Sequence, residues 1–161
     1  MQHQLSSIDG SIYILELAEP FGKLELQEVP SEISGQRSGN YAEIAVPGRN
    51  NPLHHYTGGS DSFSITCQFF ADDSGVDNTL RDINWLLGLM ANDGYNAPTR
   101  RVKVVFGKFF NRKKYIVKDV KYKFTDFKND KGWTSRRAEV SISFALDMDD
   151  NRTISDIRNF T

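Results

Sequence analysis

Residues 60–70 read SDSFSITCQFF, and their alternation decides how the rest of the chain is read. Successive strand side chains point to opposite faces. Phe63, Ile65, Cys67 and Phe69 therefore share one side of an extended segment, and Ser62, Ser64, Thr66 and Gln68 share the other. One apolar and one polar side is the pattern of an antiparallel strand with one face on a core and one in water. Cys67, the only cysteine, lies on the apolar side and reads as a small buried hydrophobe. A reactive thiolate needs an electropositive, accessible setting, and its neighbours in sequence supply none.

The same period recurs downstream. Residues 134–148, TSRRAEVSISFALDM, set Ala138, Val140, Ile142, Phe144 and Leu146 against Glu139, Ser141 and Ser143. RRVKVVFG (100–107) and KKYIVKDVKYKFTDF (113–127) read as two more strands, with FFNRK (109–113) and KNDKGW (128–133) as hairpin turns. Upstream, SIYILELA (11–18) and KLELQEV (23–29) flank Glu19-Pro20-Phe21-Gly22 as another hairpin, with Leu24 and Leu26 inward and Glu25 and Gln27 outward. Residues 29–40, VPSEISGQRSGN, are rich in Pro, Ser and Gly without a sustained period and read as a loop. YAEIAV (41–46) is a short strand ended by Pro47-Gly48, and a second polar loop runs through His54 and His55 to Gly58-Gly59.

One helix is expected, from Asp77 to about Asp93, with Val76, Leu80, Ile83, Leu87 and Met90 as its apolar stripe. Ser74 or Asp77 caps its start, Gly94 suits a left-handed end and Pro98 lies beyond it. Trp85 lies off the stripe centre, where it either completes the core or contacts a partner. Six or seven strands and one helix make a single α+β domain, mainly antiparallel β, over residues 1–161. Its core spans about 11–148, with a tail from 149 to 161.

Composition narrows the function. No apolar run approaches the roughly 20 residues that span a bilayer, and MQHQLSSIDG has neither the basic nor the apolar part of a secretory signal. A soluble protein that stays in the compartment where it is made is expected. Net charge is −1, but residues 1–99 hold 4 Lys/Arg against 13 Asp/Glu and residues 100–161 hold 16 against 8. Such a split marks either a nucleic-acid surface or copies of one protein docking acidic face to basic face.

The chain has no Gly-rich phosphate loop, H-E-x-x-H, C-x-x-C or G-x-S-x-G. No catalytic residue, cofactor or metal is expected. His54 and His55 would need a third ligand from His3 or Cys67 to hold a metal, and they read as polar loop residues. From Arg100 to Lys123, 10 Lys/Arg stand against one acid, interleaved with Phe109, Phe110, Tyr115 and Tyr122. That is the footprint of a single-strand-binding barrel. However, Lys103, Lys121 and Lys123 alternate with apolar residues, as on the outward face of ordinary amphipathic strands, so direct nucleic-acid binding is the second reading.

Read as one unit, residues 23–70 carry an ordered set of short motifs. These are Val29-Pro30-Ser31-Glu32, Tyr41-Ala42-Glu43-Ile44, Pro47-Gly48, Pro52-Leu53, Tyr56-Thr57-Gly58-Gly59 and Phe69-Phe70. In this order they resemble the tube-like proteins of contractile injection systems and contractile-tailed phages, in particular the baseplate hub adaptor family. The helix, Ala97-Pro98 before a strand, and the closing hairpin extend the resemblance over roughly Leu24 to Leu146.

The resemblance implies a tail-tube-like β-sandwich or open barrel with one flanking helix, the histidines in the turn before a barrel strand. It also implies a structural, non-catalytic virion protein made in a bacterial cytoplasm. Its partners would be itself, as a homohexameric ring, the tail tube protein, the spike or hub protein and, beyond them, baseplate wedge or sheath proteins; the major tail tube protein is the neighbouring alternative. A LysM-type extension common in relatives has no counterpart up to Thr161. Contacts with adjacent subunits or layers are expected in the loops Glu32 to Tyr41 and Phe109 to Lys114, at Glu32, Arg37, Tyr41, Phe109, Phe110, Arg112 and Lys113, with Trp85 as a further candidate.

Overall fold

The computed structural model describes residues 12–18, 21–71, 78–91, 100–107, 109, 113–129 and 132–147. Among these residues seven strands and one helix follow in the order β1 (Tyr13–Glu16), β2 (Lys23–Glu25), β3 (Glu32–Ile44), β4 (Leu53–Phe70), α1 (Asn78–Gly88), β5 (Arg101–Val105), β6 (Tyr115–Asn129) and β7 (Trp133–Leu146). All pairings are antiparallel and join one open sheet of order β2-β1-β5-β6-β7-β4-β3. The α+β, mainly antiparallel class expected from the alternation is the class observed. β2 and β3 are its two edges.

The alternation of residues 62–70 does what the sequence demands. Phe63, Ile65, Cys67 and Phe69 are buried, and so are Ala138, Val140, Ile142 and Phe144, their register partners on β7. Phe63 stacks on Phe144 with ring centroids 4.8 Å apart. Ile14, Leu24, Val102 and Val104 from the other half of the sheet, Ile83 and Leu86 from α1, and Leu89 just past its end join the same core. Burial alone pushes the Cys67 thiol up to about 12, so it stays a neutral hydrophobe at any ordinary pH.

Three expectations are corrected. Residues 32–40 are not loop: they form the first part of β3, paired with β4 in register from Glu32↔Thr66 to Ile44↔Leu53. The histidines are not in a turn either, because β4 begins at Leu53 and sets His54 opposite Glu43 and His55 opposite Ala42. These segments lack an apolar period because most of this hairpin meets solvent on both faces, and a ribbon that buries nothing has no reason to alternate.

The helix is rotated on the sheet relative to the expected stripe. Its buried positions are Thr79, Asp82, Ile83 and Leu86, with Leu89 just beyond its end, while Leu80 and Met90 are exposed. The competing stripe wins because its polar members are accommodated. The Thr79 hydroxyl donates to the Ser135 carbonyl at 3.2 Å. The Asp82 carboxylate takes a bond from Arg81 Nε at 3.3 Å, although burial still holds its pKa above the usual carboxylate range. Val76, the expected caps Ser74 and Asp77, Gly94 and Pro98 lie outside the described residues.

Candidate functional site

β4 leads two lives. From Ser62 to Phe70 it pairs with β7, and as far as Thr66 with β3 on its other side as well, but Leu53–Asp61 pairs with β3 alone. The β3–β4 hairpin therefore runs on past the sheet as a two-stranded ribbon. Because β4 and β7 are antiparallel, the ribbon leaves the sheet beyond Ala145 of β7. The β6–β7 hairpin leaves it beyond Arg137, at the opposite end.

The ribbon is closed and phased by identifiable devices. Val46-Pro47-Gly48-Arg49 makes its turn, with Arg49 N–H donating to the Val46 carbonyl at 3.2 Å and Gly48 at φ +81°. Proline then glycine at the centre, with φ > 0 at the glycine, is the type II requirement. Farther in, the register shifts between Asn40 and Tyr41 so that Asn40 pairs with Gly58 but Tyr41 pairs with Tyr56. Thr57 is the extra, bulged residue, its hydroxyl bonded to the Asn40 carbonyl at 3.1 Å and its neighbour Gly58 at φ +139°.

A one-residue shift reverses which face a strand's side chains occupy. The bulge thereby places Tyr56 beside Tyr41, edge to face at 5.4 Å. The two rings fold back over the glycine pair Gly39↔Gly59, where a Cβ on Gly59 would come 2.7 Å from Tyr56 Oη and 3.0 Å from the Ser38 carbonyl. Aromatic rings covering strand glycines restore packing that glycine cannot supply. Tyr41 is nonetheless 59% exposed and Tyr56 50%, and Ile44 and Leu53, paired on the ribbon's other face, are also exposed. Four large apolar side chains are thus held in water on a rigidly phased ribbon.

On the sheet side facing away from the core, Ser34, Gln36, Ser62, Ser64 and Ser143 line a shallow hollow, with Ser34 and Ser64 hydroxyls 2.8 Å apart. Asp119, Lys121, Lys123 and Glu139 continue this polar face across β6 and β7. Lys123 lies opposite Glu139, and Asp119 stands 3.9 Å from Lys121.

The expected contact residues are scattered rather than gathered. Glu32 is exposed at the start of β3, and Arg37 on β3 bonds both carboxylate oxygens of Asp61 at 3.0 and 2.9 Å. Tyr41 belongs to the ribbon; the expected loop from Glu32 to Tyr41 is strand. Trp85 packs against the core, its indole so close to Gly22 that a Cβ there would lie 2.5 Å from Nε1. Phe109 is exposed and bridges back to Phe106, Lys113 is half-buried, and Phe110 and Arg112 lie outside the described residues.

Sequence reading missed Tyr56, Ile44 and Leu53 on the ribbon, and Phe127 and Trp133 on the β6–β7 hairpin, all exposed. The signal that could have found them was the cluster of large apolar residues, Leu53, Tyr56 and Trp133 in segments read as loop or turn and Ile44 and Phe127 near the ends of expected strands.

Nor do the described cations and aromatics of residues 100–123 converge on one groove. Tyr115 is buried, while Tyr122 pairs with Val140 on the face opposite Lys121 and Lys123. Among the described residues no group of three or more His, Cys, Asp or Glu is placed to hold a metal ion. No helix among them is long and apolar enough to cross a membrane.

No family model matches the chain, and no curated protein does. Among solved structures, the chain is similar to one in the virion of a native gene transfer agent particle. The sequence identity is 12% and the TM-score 0.36, over 84% of this chain and 95% of that one.

Proposed function

We propose that the protein is a structural, non-catalytic subunit of a phage-tail-type particle, forming a homohexameric ring that joins the tail tube to the hub and spike. One observation carries the reading. The motifs that resemble the tube-like family, Tyr41-Ala42-Glu43-Ile44, Pro47-Gly48, Pro52-Leu53 and Tyr56 to Gly59, fall on the ribbon, whose side chains contribute nothing to the chain's own core. Residues that build a long, phased, apolar-bearing projection without serving their own fold are suited to a neighbour.

Two further features support it. β3 is a 13-residue edge strand, and an edge of that length is a standing site for association unless a neighbour consumes it. The opposite signs of charge in the two halves of the chain favour contacts between unlike surfaces of successive copies. In such a ring the hydroxyl-rich face of β3, β4 and β7 lines the channel.

The test is the solution mass across a concentration series, alone and with the tail tube protein of the same particle, followed by negative-stain imaging. Six-membered rings with an open centre, free or seated on tube ends, are the expected result. A monomer at every concentration that also leaves tube ends bare would overturn the proposal.

A further inference from the structure

The two ends of the sheet are unlike, and each leaves something unfinished on the same face. At the ribbon end, Arg37↔Asp61, Gly39↔Gly59, Tyr41↔Tyr56 and Glu43↔His54 continue the line of Gly35↔Phe63 and Ile33↔Ile65. Tyr41, Tyr56 and Glu43 are therefore an extension of the core-facing side, carried past the body that the core belongs to. At the other end, Tyr122 lies opposite Val140 and Phe124 opposite Ala138, again on the core-facing side. Val140 and Ala138 are fully buried, yet Tyr122 is 49% exposed, its ring edge to face with Phe124 at 5.6 Å. Arg136, two residues before Ala138 on β7 at this same end, is exposed.

Resting on the ring reading above, we propose that the ribbon of one copy seats on the far end of a second copy, Tyr41 and Tyr56 covering Tyr122, and Glu43 meeting Arg136. The occupant is a second copy because each end offers what the other lacks. One presents a carboxylate and two phenol rings, and the other an uncovered ring and a guanidinium, which binds both carboxylates and aromatic faces. Contact between like ends would set Glu43 against Glu43 or Arg136 against Arg136, which costs free energy instead of releasing it. Because the ends leave the sheet in opposite directions, the contact is heterologous, and a heterologous contact repeats from copy to copy until a ring closes.

Charge exchange tests this directly. Glu43→Arg and Arg136→Glu should each raise the concentration of half-assembly about tenfold or more, and the two reversals together should restore most of it. Tyr56→Ala should weaken assembly in the same direction. All three positions are exposed, so urea midpoints of the monomers serve as the control for folding. Rings that form from either single reversal at the wild-type concentration would overturn this contact and leave the ring reading standing. Wild-type protein that assembles neither alone nor on tube ends would overturn both. Partial recovery in the double reversal that neither single change shows confirms the pairing.

Discussion

The two halves of β4 make the most instructive comparison in the molecule. Ser62–Phe70 is paired with β7, with β3 on its other side up to Thr66, and every second side chain is buried; Leu53–Asp61 has β3 alone and buries none. One continuous strand thus passes from a stretch whose residues are chosen by a core to one whose residues are chosen by something outside the chain. An isolated two-stranded hairpin is at best marginally stable in water. The ribbon is therefore maintained by local devices: a type II turn, a threonine-stitched bulge, a tyrosine pair over glycines, and the Arg37–Asp61 ion pair at its base.

The largest effect should separate the halves cleanly. Phe144→Ala removes the ring stacked on Phe63 and should cost about 3–5 kcal/mol of stability in urea denaturation. Tyr56→Ala, on the exposed half, should cost about 1 kcal/mol or less. Equal losses at the two positions would mean that the ribbon is part of the folding core, and the comparison would fail.

Added methyl groups sharpen the comparison at the next level. Gly22→Ala drives a Cβ into the Trp85 indole, 2.5 Å from Nε1, and should destabilise the body by about 1–3 kcal/mol. Gly59→Ala meets the Tyr56 hydroxyl, at the far end of its side chain, but also the Ser38 backbone carbonyl at 3.0 Å. Its penalty should stay in the ribbon. By hydrogen exchange, amides of 39–44 and 53–59 lose protection in Gly59→Ala while those of 63–70 keep it; loss spread through both would break the distinction.

The buried half also carries a pH signature that the exposed half lacks. The Cys67 thiol is raised in the folded state from 9.0 to about 12 by burial. The folded protein then holds its proton where the unfolded chain has lost it. This contribution is fully present below pH 9 and declines as pH rises from 9 toward 12, by about 1.4 kcal/mol per pH unit. The urea midpoint of the wild type should therefore fall more steeply between pH 8.5 and 10 than that of Cys67→Ala. Parallel curves would show that the thiol is not held in the core.

Legibility in sequence follows the same boundary. Where burial forced a period of two, at Phe63–Phe69 and Ala138–Phe144, the strands and their inward faces could be read from the chain directly. Of the ribbon only the strand at 41–46 and its Pro47-Gly48 turn could be read, because the remaining residues answer to bulge geometry, and Ser, Gly and Asn in an edge hairpin look like loop. α1 was legible as a helix but not in its rotation, since two stripes share its spacing and the one with Thr79 and Asp82 depends on the Ser135 carbonyl and on Arg81. The sequence put Tyr41 where an expected loop meets a short strand, and it could not bring Tyr56 beside it. That pairing needs the Thr57 bulge, and a one-residue slip is invisible until the two strands are laid side by side.

The smallest effect examines the junction itself. Arg37 and Asp61 pair just outside Ser62, the first β4 residue bonded to β7, with Arg37 side-chain exposure of 44% and that of Asp61 16%. One guanidinium nitrogen reaches both carboxylate oxygens, but an ion pair this open to solvent is worth about 0.2–1 kcal/mol and weakens with salt. A double-mutant cycle on Arg37→Ala and Asp61→Ala should give a coupling in that range, shrinking between low and high ionic strength. The hydrogen exchange of residues 53–60 should respond more than the urea midpoint of the whole protein. A coupling above about 2 kcal/mol would place the pair among buried, cooperative interactions. The ribbon would then be an extension of the body's fold, since breaking its base would unfold both.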